Sequence, residues 1–276
     1  MDGLLRDIGR PRVLGVLNVT PDSFSDGGRF DRFDAAIAHA EQMWADGADL
    51  IDVGGESTRP GAERPSTSDE LDRVVPVVRA LTDRGIAVSI DTMRSEVAAA
   101  AVEAGAVLVN DVSGGLADPA MHRTVAQVKA AYLAMHWRAP STVMQQHTTY
   151  AGGVVADVIA ELSEQVARAH AAGIVTVIAD PGLGFSKTAD QNWELLANLE
   201  ALQTVGPILI GASRKSFLGA LLGGRPTGER EAAHLAIVTR CAMAGTWGLR
   251  VHDVRATRDA LAAVAAWNHA AGSQHG

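Results

Sequence analysis

The stretch RVLGVLNVTPDSFSDGGRFDRFDAAIAHAEQMWADGADLIDVGG (residues 12–55) decides the fold. It holds one apolar β-rich run, a polar stop at Asn18, a helical segment, and a second apolar run that ends in polar residues 56–59. Within it, DAAIAHAEQMWADGA places apolar residues at helical spacing, and Gly47 stands where a C-cap glycine would. This is one strand–helix unit, and the pattern repeats down the chain. Strands are expected at 12–19, 49–55, 87–93, 107–113, 131–136, 176–180, 207–213 and 249–253. Most are continuous apolar runs, as parallel strands buried on both faces should be. They end in Asn18, residues 56–59, Asp91, Asn110 with Asp111, His136, Asp180, Ser213 with Lys215, and Arg250 with His252.

A helical stretch follows almost every run. SEVAAAAVEAGA has Ser95 placed as an N-cap and Gly105 as a stop, and VVADVIAELSEQVARAHAAG is the longest segment. Periodicity alone does not separate a closed barrel from an open doubly wound sheet. Eight units and the even spread of polar strand ends favour closure, so the expected fold is an α/β, single (β/α)8 TIM barrel. In that fold the active site lies at the C-terminal strand ends. The 276 residues match the usual barrel size of about 250. Without a linker or low-complexity tract, 1–276 reads as one domain. The stretches after Thr20, after Arg59 and over 138–153 are the expected mobile lids.

The composition excludes several classes. The chain is 47% hydrophobic and 20% charged, with a net charge of −8 and no basic block, which argues against nucleic acid. The single cysteine, Cys241, leaves no internal disulfide and fits a reducing cytosol and a packed small hydrophobe. No apolar run nears the roughly 20 residues of a membrane span, and the N-terminus lacks a signal-peptide h-region. A soluble, cytoplasmic protein is expected. The nine histidines show no HExxH spacing, GASRK forms no nucleophile elbow, and GLG at 182–184 lacks the dinucleotide fingerprint. His39 and His170, on helices, are expected at the surface.

The strand ends and loops carry GVLNVTPDSFSDGG (15–28), DVGGESTRPGA (52–62), SIDTMR (89–94), VNDVSGG (109–115), MHWR (135–138), ADPGLGFSKT (179–188), GASRKSFLG (211–219) and RVHDV (250–254). In this order, over nearly the whole chain, they resemble the dihydropteroate synthase family of pterin-binding barrels. The resemblance implies a transferase of folate biosynthesis. It would join 6-hydroxymethyl-7,8-dihydropterin pyrophosphate to p-aminobenzoate and release pyrophosphate, with Mg²⁺ and with sulfonamides as inhibitors.

It also implies residue roles. The catalytic residues would be Asp91, Asp180 and Lys215. The pterin would meet Asp91, Asn110, Asp180, Lys215, Arg250, Met135 and Phe185, with Asp180 accepting paired hydrogen bonds from the ring's amidine-like edge. p-Aminobenzoate would meet Phe24, Thr58, Pro60, Phe185, Ser213 and Lys215. Pyrophosphate would meet Asn18, Thr58, Arg59, Arg250 and His252, with Asn18 as the metal ligand. Arg250 and His252 lie two apart, on one side of a strand. A homodimer through the last third of the barrel is implied too, and AAHLAIVTRCAMAGTWG and RDALAAVAAWNHA are unusually apolar for outer helices.

Two other functions were set against this one. A folate–corrinoid methyltransferase barrel would need the anion subsite far less. A catalytically silent pterin-binding paralogue would lose Asp91, Lys215 or the SFSDGG stretch, all of which stand in the chain. The departures from the family pattern are Ala179 before Asp180, a short turn before the sixth strand, and an undiagnostic stretch STVMQQHTTYAGG.

Overall fold

A computed structural model describes residues 3–20, 29–56 and 64–272. Eight parallel strands form the sheet: β1 (Arg12–Asn18), β2 (Leu50–Gly54), β3 (Val88–Asp91), β4 (Leu108–Asp111), β5 (Ala131–Met135), β6 (Val177–Asp180), β7 (Leu209–Ile210) and β8 (Gly248–Val251). Their order is β6-β5-β4-β3-β2-β1-β8-β7, and a parallel bridge between Ala179 and Ile208 brings the two ends together. The result is the expected, nearly closed barrel.

The helices are α1 (Arg29–Ala45), α2 (Thr67–Thr82), α3 (Ser95–Glu103), α4 (Met121–Val128), α5 (Val154–Ala171), α6 (Ala189–Ala197), α7 (Leu199–Leu202), α8 (Ser216–Leu221), α9 (Glu231–Met243) and α10 (Val254–Gly272). Their apolar faces and the outward strand residues, such as Ile51, Val53, Val109 and Ala179, make one large buried cluster. A second, smaller cluster fills the barrel interior: Leu14, Leu50, Leu108, Ala131, Leu133, Ile178 and Leu209.

Strand periodicity then places the site. Side chains two apart along a strand share a face. Leu50, Leu108, Leu133 and Ile178 point inward at the bottom, so Asp52, Asn110, Met135 and Asp180 point inward one step nearer the mouth. Register aligns the tips across strands: Asn18 pairs with Gly54, Gly54 with Asp91, Asp91 with Asn110, and Met135 with Asp180. A core built from apolar residues at one level therefore presents a polar layer at the next.

Two local expectations need correction, and the stretch expected as a lid, 138–153, makes contacts with later elements. The seventh strand is two residues long rather than 207–213. Pro207 has no N–H for a ladder, and Arg214 takes a left-handed φ of 63° that ends extension. Ser95 is the first residue of α3, not its cap; the capping position is Arg94, and Ser95 N–H donates to Asp118 Oδ2 at 2.8 Å. The stretch 138–153 is tied down at several points. Arg138 pairs with Glu161 and donates to Thr149 O at 2.6 Å, while Gln191 Nε2 donates to Thr148 O at 2.8 Å. The glycine stops hold: Gly47 and Gly105 have φ of 101° and 111°, conformations that favour glycine.

Candidate active site at the barrel mouth

Four strands contribute a connected polar layer. Arg250 on β8 donates from Nε to Asp52 Oδ2 on β2 at 2.6 Å and from Nη2 to Asp91 Oδ2 on β3 at 2.5 Å. Asn110 on β4 donates from Nδ2 to the same Asp52 oxygen at 3.0 Å. The fork of a guanidinium suits two carboxylates. Asp52 is fully buried and its Oδ1 has no hydrogen-bond partner among the described residues. Burial pushes the Asp91 carboxyl up to about 7, against the pull of Arg250. The two acids keep Arg250 charged despite burial.

Asp180 ends β6. Its Oδ1 accepts from Gly182 N–H at 2.7 Å, and burial raises its pKa while Lys215 lowers it. Lys215 lies beyond β7, donates to Leu183 O, and sits 4.8 Å over the Phe185 ring. Burial lowers Lys215 to about 8. Met135 is buried beside Asp180 in the register. Glycines leave room in front of these groups. A Cβ on Gly211 would lie 3.6 Å from Asp180 Oδ2, 3.7 Å from Arg250 Cβ and 4.0 Å from Lys215 Nζ; one on Gly54 would lie 3.5 Å from Asp91 Cβ. A flat ligand with several donors and acceptors has space where side chains are missing.

His252 follows β8, with Nδ1 at 3.0 Å and N–H at 3.3 Å from Ser213 Oγ. With Nδ1 accepting, the Ser213 hydroxyl spends its proton on His252. Burial, then Arg214, Arg250, His234 and Lys215, depress the His252 pKa to about 3. Cations gathered around a half-buried imidazole make an anion-attracting corner, and Arg214 is a member that sequence reading did not pick. Asn18 is half-buried at the end of β1.

The structure thus brings Asp91, Asn110, Asp180, Lys215 and Arg250 together, with Met135 and Phe185 beside them and His252 with Ser213 at the β7–β8 side. Phe24, Thr58, Arg59 and Pro60 lie outside the described residues. Two contributors were missed. Asp52 sits inside the apolar run LIDVG; an acid there, at an inward position, was the available signal. Lys187, in the 181–188 loop, is 3% exposed and contacts His136, which is itself fully buried. In the sequence His136 stands as a strand end, and Lys187 lies within ADPGLGFSKT with no role assigned to it.

Comparison with known proteins shows the family and fold to which the chain is similar. The family model described as "Pterin binding enzyme" matches residues 14–252. The chain is 52% identical over 267 residues to a dihydropteroate synthase of Mycobacterium leprae, covering 94% of each sequence. Among solved structures, a Yersinia pestis dihydropteroate synthase in a sulfonamide drug complex superposes with a TM-score of 0.89 at 41% identity, covering 96% of each chain. The Xanthomonas albilineans dihydropteroate synthase in complex with 7,8-dihydropteroate gives 0.85 at 40% identity, covering 97% of each.

Proposed function

The chain belongs to the dihydropteroate synthases of the pterin-binding enzyme family, and from that premise we propose how its barrel mouth divides the work. The reaction joins 6-hydroxymethyl-7,8-dihydropterin pyrophosphate to p-aminobenzoate, forming 7,8-dihydropteroate and releasing pyrophosphate. The observation that carries our reading is the layer in which Asp52, Asp91, Asn110, Asp180, Lys215 and Arg250 face one glycine-lined space.

In this reading the pterin ring lies over that layer. Asp180 Oδ2, left open by the Gly182 contact, accepts from the amidine-like edge. Lys215 donates to the ring carbonyl, and Asn110 keeps Oδ1 as an acceptor after its Nδ2 is spent on Asp52. Met135 and Phe185 supply apolar contact. Three carboxylates then face two cations, so the site favours positive charge. As the C–O bond to pyrophosphate breaks, cationic charge grows on the pterin methylene, and Asp91 and Asp180 stabilise it without reorganising. The neutral arylamine nitrogen of p-aminobenzoate attacks that carbon, and its proton leaves to solvent. Lys215, Phe185 and Ser213, with Phe24, Thr58 and Pro60, form the second-substrate pocket, where sulfonamides would compete.

His252 and Arg250, with Thr58, Arg59 and Asn18, hold the departing pyrophosphate. Arg250 has only Nη1 uncommitted to carboxylates, so His252 and its cationic neighbours take the larger share. Among the described residues no cluster of three or more His, Cys, Asp or Glu side chains could cage a metal. One neutral oxygen from Asn18 completed by substrate oxygens fits Mg²⁺, which dehydrates reluctantly. When bound, Mg²⁺ would neutralise the leaving group's charge.

A homodimer is supported by the exposure of Met243 (63%) at the end of α9 and Trp267 (59%) on α10. A cytoplasmic location is supported by the buried free Cys241 and by the lack, among the described residues, of any helix long and apolar enough to cross a membrane.

The division of the site is tested by titrating 6-hydroxymethylpterin and pyrophosphate separately into Asp180→Asn and His252→Ala. Asp180→Asn turns an acceptor towards donors and is expected to cost the pterin on the order of 1–3 kcal/mol, roughly 5- to 150-fold. It should leave pyrophosphate unchanged. His252→Ala should do the reverse. Equal weakening of both ligands in either variant would contradict separate ring and anion subsites.

A further inference from the structure

We propose that Lys187 is a positioning residue for the pterin subsite, holding the 181–188 loop through an ammonium that His136 anchors to Glu161. The inference rests on the pterin reading above. The loop begins beside Asp180 and carries Phe185. Its backbone is irregular: Gly182, Gly184 and Ser186 all take left-handed φ, at 67°, 81° and 50°. A serine there costs free energy that a glycine would not. The loop's own Lys187 crosses it from within, and side chains from other elements anchor that lysine.

Lys187 Nζ lies 3.1 Å from Gly182 O, 3.0 Å from Phe185 O and 2.9 Å from His136 Nδ1. Gly182 is the residue whose N–H fixes Asp180 Oδ1, at 2.7 Å. On the far side, His136 Nε2 lies 2.9 Å from Glu161 Oε2, and Arg138 Nε donates to that oxygen at 2.9 Å. Arg138 also lies 3.8 Å over the Tyr150 ring, and Tyr150 O–H donates to Ser186 O at 3.0 Å. One connected set of side chains, from His136 just after β5, Glu161 of α5 and the 138–153 stretch, therefore anchors Lys187 and Ser186 of the loop that carries Phe185.

The protons can be assigned. Carbonyl oxygens only accept, so Nζ must donate to two of them. Glu161 accepts from Nε2–H, which leaves His136 Nδ1 as an acceptor for the third Nζ proton. Three acceptors thus consume the three protons of an ammonium. A neutral amine has two protons, and one contact must then become acceptor against acceptor. Burial lowers Lys187 to about 7; of the charged groups facing it, Asp180 and Glu161 raise the value, while Lys215 and Arg138 lower it. His136 is held neutral, its pKa lowered to about 4 chiefly by burial and by Lys187. Lys187 is therefore charged below about pH 7 and loses the third contact above it.

This predicts a pH signature that a space-filling role would lack. Lys187→Met removes all three donors at every pH. Its deficit against wild type should be largest where wild-type Lys187 is charged, and should shrink as the wild type itself deprotonates.

The test is calorimetry with 6-hydroxymethylpterin and with pyrophosphate from pH 6 to 9. At pH 6, Lys187→Met should bind the pterin about 10- to 100-fold more weakly than wild type. The ratio should be smaller at pH 9 than at pH 6, though not abolished, with pyrophosphate affinity changed less than about threefold throughout. A constant ratio, an unchanged pterin affinity, or equal loss of both ligands would overturn the proposal. Glu161→Gln, at the solvent edge, covers the case in which Lys187→Met does not fold. Loss of the anchor should weaken the pterin at least about threefold at pH 6, and an unchanged affinity would overturn the proposal. Wild-type protein that bound no pterin would instead remove the reading of the pocket itself.

Discussion

Arg250 holds two carboxylates apart and together, and its removal shows what the polar layer costs. Arg250→Ala would leave Asp52 and Asp91 buried, adjacent and uncompensated. Breaking a buried pair in this way typically costs about 3–5 kcal/mol. Urea denaturation should show a loss of that size, together with loss of turnover; a stability within about 1 kcal/mol of wild type would refute the clamp. The same residues set a pH window. Asp91 must be ionised to favour a cation, and burial raises it to about 7. Lys215 must be charged to meet the carbonyl, and burial lowers it to about 8. Turnover per bound pterin pyrophosphate should fall on both sides of that window, with the limbs belonging to the coupled set rather than to single residues. A flat profile from pH 5 to 10 would contradict these roles. Residues such as Asp91, Asn110, Asp180 and Arg250 were legible because each interrupts or ends an apolar run. Asp52 was not, since an acid inside the apolar run LIDVG shows its role only once strand register turns it inward, and Lys187 was not, since it lies in a loop and its partner His136 is 51 residues away.

At the scale of elements, strand periodicity carried most of the information. Alternation puts Leu50 and Asp52, Leu108 and Asn110, and Ile178 and Asp180 on one inward face, so an apolar interior and a polar mouth follow from the same runs. What periodicity could not show was where a strand stops pairing. The run 207–213 reads as a strand, yet only Leu209–Ile210 pairs as one, because proline lacks a donor and the backbone turns left-handed at Arg214. Nor could it show that 138–153 is anchored, since that depends on Glu161 and Gln191 from later elements. The short β7 has a functional consequence at Gly211. Its side-chain position opens onto Asp180 and Arg250 with only ordinary contact distances. Gly211→Val should therefore fold with little change in melting temperature, yet bind pterin about tenfold or more weakly by occupying the ring's space. Wild-type pterin affinity in this variant would place the ring elsewhere.

For the whole molecule, the eight strand–helix units were readable in advance, because each unit repeats the same apolar run, polar stop and amphipathic helix. Assembly is a different matter, since burial against a partner leaves no distinct periodicity in an already apolar helix. Met243 and Trp267 are exposed on neighbouring C-terminal helices. We expect light scattering at micromolar concentration to give twice the 28.8 kDa chain mass. A monomer mass there would remove the dimer.

The central claim is that this mouth joins a pterin to an arylamine with loss of pyrophosphate. The most direct measurement mixes purified protein with 6-hydroxymethyl-7,8-dihydropterin pyrophosphate, p-aminobenzoate and Mg²⁺, and follows product by mass. The account predicts 7,8-dihydropteroate and one pyrophosphate per turnover, both falling sharply in Asp180→Asn. Tight binding of both substrates by wild-type protein with no dihydropteroate formed would contradict it, and would leave a barrel that binds pterins without joining them.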